Sequence, residues 1–461
     1  MADTLKFDVV VIGAGPAGVN AAQVVTDGGL DVCLIDESLR SGGQIYRQQP
    51  ENFKRSYQQL YGTEHSKAKA LHDRFVQLQA KCTLFLGCQI WAIEENTLFA
   101  NYAGKLQLIE FKQLIICTGA TDRILPIEGW EHAGTYTLGA AQIALKAQAC
   151  SIGREVAFVG SGPLLYLVAA QYAKAGIKVA GVFDTSAWYL RLLALPKLLA
   201  QPRVLINGVK LTVDLLMRGI KIRAGIKPIK IENNTDGVTG FTYEVDDKTI
   251  TVKTDAIALG YHLRPETQLA DLAGCEFTFD TTSQQWLVKQ TREGLTSVPN
   301  VYVAGDGAKI LGADAAEIKG KLVGHTVLRN AGISVSAKTV SKLIQKLQKW
   351  EIFASGIQTA FPWPKHFVEQ MSDSTILCRC ECITKHEVKS GVTLSGHPEI
   401  NRVKAMSRVG MGRCQGRYCA DAQATTLAQI ANKPLTDIGR LRAQAPIKPT
   451  SMRLAGDSVD E

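Results

Sequence analysis

The sequence predicts an α/β protein with two parallel-sheet units in series and a small third domain at its end. Two segments carry the first part of that reading. FDVVVIGAGPAGVNAAQVVTDGGLDVCLIDE and REVAFVGSGPLLYLVAAQYAKAGIKVAGVFDT each run as strand, glycine turn, helix, strand and acid. The third observation is that five of the eleven cysteines fall in two short runs, CRCECIT and MGRCQGRYC. The expected divisions are 1–150 for the first unit, 151–260 for the second and 261–335 for a return to the first. A linker over 336–375, a cysteine domain over 376–440 and a tail over 441–461 complete the chain. At 461 residues it exceeds a single core, in keeping with about three domains.

In the first unit, residues 7–12 are almost continuously apolar, as a strand buried on both faces requires. Gly13, Gly15 and Gly18 then form a GxGxxG turn around Pro16 and Ala17. The first glycine allows the tight turn, the second lets backbone approach a pyrophosphate, and the third lets the helix pack on the strand. A diphosphate would rest on the free N–H groups at the helix start. The second strand ends at Asp36, where a carboxylate can accept from a ribose hydroxyl; Glu37 is the neighbouring alternative. Gly42-Gly43-Gln44 offers bare backbone to the dinucleotide from the other side.

Two later segments narrow the dinucleotide. FKQLIICTGATDRILPIEG is a strand ending in Thr118-Gly119, then a crossover; TSVPNVYVAGDGAKILGADAAEIKG is a strand ending in Gly305-Asp306, then a helix. The pair resembles the flavoproteins with two Rossmann-like dinucleotide-binding domains, the glutathione and thioredoxin reductase type. That resemblance implies FAD, with Asp306 on a ribityl hydroxyl and the following helix aiming its positive end at the flavin pyrimidine. A simple helix cap is the other reading of Asp306 and is compatible with the first.

The second unit keeps Gly160 and Gly162 but has Leu165 at the third glycine position, and its acid is Asp184. A leucine there spreads helix from strand, so NAD(P)H, another adenine nucleotide or no ligand all stay open for 151–260. From Ile226, IKPIKIENN and the stretch after it read as a β-meander returning to the flavin domain. The leucine-rich helical stretch 186–203, with Trp188 and Tyr189, reads as core packing, with a partner surface as the sharper alternative. No C-x-x-C occurs in these units, which excludes a thioredoxin-reductase-type dithiol, and Cys117 reads as a buried small hydrophobe.

After the polar helix VSAKTVSKLIQKLQKW and the connection FPWPKHF, Cys378, Cys380, Cys414 and Cys419 make a C-x-C and C-x4-C set. Four thiolates suit a [2Fe–2S] cluster or structural zinc. The tight C-x-C favours the cluster, which spreads its ligands over two metals. Arg379, Arg408, Arg413 and Arg417 flank these thiols and would favour a reduced cluster, or else form a solvated, partner-facing surface.

GGQIYR, VGSGPLLYLVAAQ, VYVAGDG, CRCE and MGRCQGRYC together are similar to the flavin subunits of heteromeric amino-acid dehydrogenases. That family includes the octopine and nopaline oxidase A subunits, the hydrogen cyanide synthase B subunit and the hydroxyproline dehydrogenase alpha subunit. The resemblance covers essentially the whole chain and ends in a domain like bacterioferritin-associated ferredoxin. It implies FAD, a [2Fe–2S] cluster and a separate catalytic partner of the amino-acid-oxidase type with its own flavin. It leaves room for an interface flavin and for a small additional subunit. Cys382 stands where the family pattern has glutamate, so Cys380 and Cys382 compete for one ligand position, which the pattern gives to Cys380.

The expected role is therefore electron transfer within a complex, carbon–nitrogen oxidation taking place in the partner. No general base or nucleophile stands out, and the catalytic residues are left unassigned. The rival is a self-contained NAD(P)H-dependent flavin reductase that feeds its own cluster. A zinc-stabilised docking module is a third reading of the last domain. A surplus of nine positive charges, without a basic stripe interleaved with aromatics, argues against nucleic acid. WYLRLLALPKLLAQPRVLI is broken by Arg191, Pro196, Lys197 and Pro202, so membrane contact is expected to be at most peripheral. With a strand pattern starting at once and dispersed cysteines, the expected location is cytoplasmic.

Overall fold

The computed structural model describes residues 4–450. Strand Thr4–Ile12 lies between Val32–Asp36 and Lys105–Ile116, with Thr83–Leu86 outside the former and Val301–Val303 beside the latter, all parallel. Val9 and Val11 feed the core under helices Pro16–Asp27 and Ala313–Asn330, while Val10 and Ile12 feed the core on the opposite face. Burial on both faces explains the unbroken apolar run. An antiparallel hairpin, Gln89–Glu94 with Thr97–Tyr102, extends from the first half of Lys105–Ile116. The Pro16–Asp27 and Ala313–Asn330 helices touch because Gly320 has no side chain: a Cβ there would lie 2.1 Å from the Ala17 carbonyl oxygen.

The second sheet is parallel throughout, ordered Ile222–Ala224, Lys178–Asp184, Glu155–Ser161, Ala256–Tyr261 and Thr135–Thr137. Thr135–Thr137 and the helix Leu138–Ala147 thus join this unit, although they precede the expected boundary at 150. A strand of three residues is too short to show a period in sequence. The meander forms as Lys227–Asn234, Gly237–Val245 and Lys248–Lys253, but it packs on this second unit through Phe241 and Tyr243 against Phe183. Only after Tyr261 does the chain cross back, where Leu263–Pro265 pairs with Ala120–Asp122.

The 336–375 segment is no loose linker. Helix Ala337–Ala360 packs lengthwise on helix Tyr189–Leu198, and Phe353 enters the second unit's core. Trp363 and Phe367 then enter the core formed around Tyr261 and Phe183. Core packing accounts for only part of the leucine-rich stretch: Ala194 and Leu198 turn inward, whereas Trp188, Tyr189, Leu192 and Leu193 face solvent.

The last domain has its own core of Leu377, Val388, Ile400, Val403, Val409 and Leu427 under helices Lys385–Ser395, Ile400–Ser407 and Ala420–Ala431. Beyond it, the expected tail runs back to the first unit, where Ile447 is buried and donates its N–H to the Trp91 carbonyl at 3.0 Å. Residues 451–461 of that tail lie outside the described residues.

Candidate flavin and thiol sites

The glycine turn leaves the Thr4–Ile12 strand and enters helix Pro16–Asp27 with Gly15 at its N-cap. Gly13 has φ +106°, and a Cβ on it would meet the Cys117 carbonyl oxygen at 2.3 Å. A Cβ on Gly18 would lie 1.7 Å from the Gly13 oxygen. These two glycines are therefore required by the chain's own backbone. Gly15 differs: it faces Gly43, with its nearest contact at 3.5 Å, and the two bare backbones frame a slot beside the first N–H groups of the helix.

Asp36 and Glu37 separate cleanly. Asp36 accepts from the Ala14 N–H at 2.6 Å and the Ser38 N–H at 2.7 Å, which fixes the turn. Glu37 pairs instead with Lys448 of the returning tail. Gly42, φ +117°, donates to the Ala14 carbonyl at 2.9 Å, and Gln44 accepts from Arg47 at 2.8 Å.

At the other end of the cradle, Asp306 accepts from the N–H groups of Leu311 and Gly312 through Oδ1, at 2.9 and 3.0 Å. It holds the loop ahead of the Ala313–Asn330 helix; the helix cap itself is Gly312, with no side-chain cap. Its Oδ2 makes no hydrogen bond among the described residues, and burial pushes the carboxyl above its ordinary value. Gly305, φ +68°, packs on Ala17, so the Gly-Asp segment and the glycine turn meet. Thr118 Oγ1 donates to the Glu266 carbonyl at 2.6 Å, and the Gly119 carbonyl accepts from the Glu266 N–H at 2.9 Å. Cys117 is buried, which raises its thiol to about 12, consistent with a space-filling role.

In the second unit, Leu165 is fully buried in the core. Asp184 is also fully buried, and its carboxylate is engaged by Tyr166 Oη and Arg191, each at 2.7 Å, and by the Ser186 N–H at 2.8 Å. The acid at the end of the second strand is thus bound internally. Gly162 faces the His262 ring, which in turn hydrogen-bonds the Phe361 carbonyl.

The two cysteine runs converge. Cys378, Cys380, Cys414 and Cys419 come close enough to act on one another electrostatically, Cys419 feeling all of the other three. Among the described residues no group of three or more His, Cys, Asp or Glu closes around a single ion. The Cys419 thiol and the N–H groups of Gly410, Glu381 and Cys380 all point to Cys378 sulfur and hold it well below the ordinary thiol value. Gly412 permits the approach: a Cβ there would sit 2.4 Å from that of Cys380. Cys382 stays apart, exposed, at φ +55°, with its sulfur on the Arg379 carbonyl at 3.8 Å.

Three of the four flanking arginines are engaged. Arg379 lies over Trp130, Arg408 pairs with Glu381 at 2.9 Å and Arg417 pairs with Glu266 at 2.7 Å. Arg413 alone of the four is exposed without such a partner among the described residues. The 414–419 loop is anchored further by Arg264, which donates to the carbonyls of Gly416 and Arg417 at 3.1 Å, and by Gln268, which donates to that of Gln415 at 2.8 Å. Sequence reading missed Arg264, Glu266 and Gln268, for no local pattern marks them.

The described residues thus combine a dinucleotide cradle and a second Rossmann-like unit, the architecture of a flavin-dependent oxidoreductase. The chain belongs to the pyridine nucleotide-disulphide oxidoreductase family, whose model matches residues 7–332, and it is an FAD-dependent oxidoreductase. Within that class it falls in a narrower group of subunits. It is 31% identical to the opine oxidase A subunit of Agrobacterium tumefaciens (strain Ach5), over 97% of this chain and 90% of that protein. To the hydrogen cyanide synthase subunit HcnB of Pseudomonas protegens it is 26% identical, over 96% of each. Its fold is similar to that of L-proline dehydrogenase from P. horikoshii, with TM-score 0.73 and 20% identity over 98% of this chain and 80% of the other. Thioredoxin reductase of T. acidophilum matches with TM-score 0.51 and 21% identity, over 71% of this chain and 99% of its own.

Proposed function

We propose that this chain is the electron-transfer subunit of a heteromeric amino-acid or opine dehydrogenase, with FAD and a [2Fe–2S] cluster as its own groups. Carbon–nitrogen oxidation is assigned to a partner subunit of the amino-acid-oxidase type with its own flavin. The observation that carries this reading is the anchoring of a four-thiol set, through Arg417 and Arg264, onto the strand crossover that holds Thr118 and Gly119. A two-iron cluster takes four thiolates, the number that Cys378, Cys380, Cys414 and Cys419 bring together.

In this reading Gly13, Gly15, Pro16, Ala17 and Gly18 seat the diphosphate, helped by Gly42, Gly43 and Gln44. Asp36 or Glu37 meets the adenosine ribose, Thr118, Gly119 and Gly305 flank the ring system, and Asp306 accepts a ribityl hydroxyl through Oδ2. When bound, FAD exchanges electrons in pairs or singly, and an iron–sulfur cluster exchanges them singly. The protein's part is to hold the two sites in fixed relation and to surround Cys378 with N–H donors, which favour negative charge on its sulfur. The engaged carboxylate of Asp184 and the buried Leu165 count against the rival, a self-contained NAD(P)H reductase.

Anaerobic purification tests the reading. About two irons and two acid-labile sulfides per FAD are expected, with a paramagnetic signal after dithionite. NADPH is expected to leave the flavin oxidised. Yellow protein without iron, or prompt bleaching by NADPH, would sink the proposal.

A further inference from the structure

Residues 441–450 form no regular secondary structure, yet side chains tie them down along their length. At the start, Asp271 accepts from Arg440 at 2.7 and 2.8 Å and from the Ala443 N–H at 2.6 Å. In the middle the thiol loop grips the segment: Gln415 donates to the Pro446 carbonyl, and Arg417 Nη1 to the Ile447 carbonyl at 2.8 Å. The Ile447 side chain enters the core that holds Ile35, Cys88 and Ile90. At the end, Lys448 pairs with Glu37, and Thr450 Oγ1 accepts from Asn101 at 3.2 Å. Irregular chain ends ordinarily lie loose on the surface; this one is pinned by the thiol loop and by the first unit together.

Its landing place is the acid of the dinucleotide fingerprint. Cys88 and Gly87 donate to the carbonyls of Asp36 and Ser38 at 3.0 and 3.2 Å, which sets the entry to strand Gln89–Glu94 beside the end of Val32–Asp36. Lys448 sits on Glu37, and Asp36 is near enough to act on its ammonium group. Arg47 feels the same carboxylate, and its Nε is buried without a hydrogen-bond partner among the described residues. Two cations around an acid suited to ribose complement a ligand that carries phosphate next to that ribose.

We propose that residues 443–450 complete the adenosine end of the flavin cradle as a strap, with Ile447 and Lys448 as positioning residues and Gln415 of the thiol loop as its clasp. The strap rests on the reading of the first unit as the FAD cradle, and not on what the four thiols hold. Lys448 balances Glu37, whose charge would otherwise repel the phosphates of the dinucleotide. Ile447, held in the core and by its N–H on the Trp91 carbonyl, fixes the backbone that carries Lys448. The ligand then meets a wall already in place, and binding does not bear the cost of ordering one.

Titration of full-chain apoprotein with FAD, followed by flavin fluorescence, is the test. Lys448→Met and Ile447→Ala should each weaken FAD binding at least about tenfold, and Gln415→Ala about threefold. An ion pair at the surface adds little to stability, so the Lys448→Met apoprotein should melt near the wild-type temperature. Should Ile447→Ala disturb folding, Lys448→Met and Gln415→Ala read the same property. Backbone hydrogen exchange over 443–450 should slow when FAD is added to the wild type, and less so in the variants. The proposal is overturned if Lys448→Met and Gln415→Ala bind FAD as tightly as the wild type, or if FAD leaves exchange over 443–450 unchanged. It is also overturned if weaker binding comes only with an earlier melt of the apoprotein, which would make the segment a structural tie alone. Iron content enters none of these readouts, so a chain without iron would sink the cluster reading and leave the strap to be judged on FAD.

Discussion

Arg417 and Glu266 form an ion pair at 2.7 Å with side chains only 12% and 11% exposed, joining the cysteine loop to the segment that bonds Thr118 and Gly119. Removing one charge leaves the other buried without its partner. Arg417→Gln or Glu266→Gln should each cost about 3 kcal/mol of stability. The double substitution should cost clearly less than the sum, which denaturant titration of all four proteins measures. Because Glu266 holds Thr118 and Gly119 through its backbone, both single variants should also perturb the flavin absorbance bands.

Two glycines of the same turn should fail in different ways. Gly18→Ala drives a methyl into the Gly13 carbonyl, backbone that cannot yield, and should cost about 3 kcal/mol or more. Gly15→Ala meets only ordinary contact at 3.5 Å, so the apoprotein should melt near the wild-type temperature. FAD affinity should nonetheless fall at least about tenfold, because the methyl fills the slot facing Gly43. Fluorescence titration of apoprotein with FAD, beside thermal melts, separates the two effects.

Among the thiols, Cys382→Ser should leave iron and sulfide per FAD unchanged, since Cys382 stands apart with its sulfur on the Arg379 carbonyl. In the proposed cluster site, Cys380→Ser should remove most of the iron, because it takes away one of the four thiolates. Metal analysis of both proteins, prepared together without oxygen, provides the comparison.

His262 is buried, and burial lowers its imidazole from 6.5 to about 4 against the opposing hydrogen bond to Phe361. The unfolded chain binds the proton more readily, so this contribution is complete above pH 6.5 and is lost as pH falls toward 4. The window should account for a loss on the order of 3 kcal/mol. His262→Gln should flatten that part of the stability profile, as followed by denaturant midpoints at stepped pH.

Much of the first unit was legible because its determinants are local: a strand, a turn and a helix follow one another in the order of the fingerprint. The convergence of Cys378 and Cys380 with Cys414 and Cys419 was legible too, since two short runs so dense in thiol point toward a common site. The engagement of Glu37 was not legible, because it depends on where a tail more than four hundred residues later lays Lys448. Nor could the engagement of Asp184 be read, since Tyr166 and Arg191 look like ordinary helix residues until the fold turns them toward it. The thiol-loop anchors Arg264, Glu266 and Gln268 lie about 150 residues from their partners, a separation that no periodicity records.

Arg123 is 2% exposed, stacks at 3.8 Å on Trp363, bonds the carbonyls of Ser283 and Gln284 at 2.9 Å, and pairs with Asp421 at 2.7 Å. One guanidinium thereby serves as a common rivet for the crossover, the 281–285 turn, the proline-aromatic connection and the cysteine domain. The terminal domain is therefore not a detachable cartridge. Cutting the chain after residue 375 would strand a cation in a hollow built for its counter-ion, so the shortened protein should be recovered as aggregate rather than as a working flavoprotein.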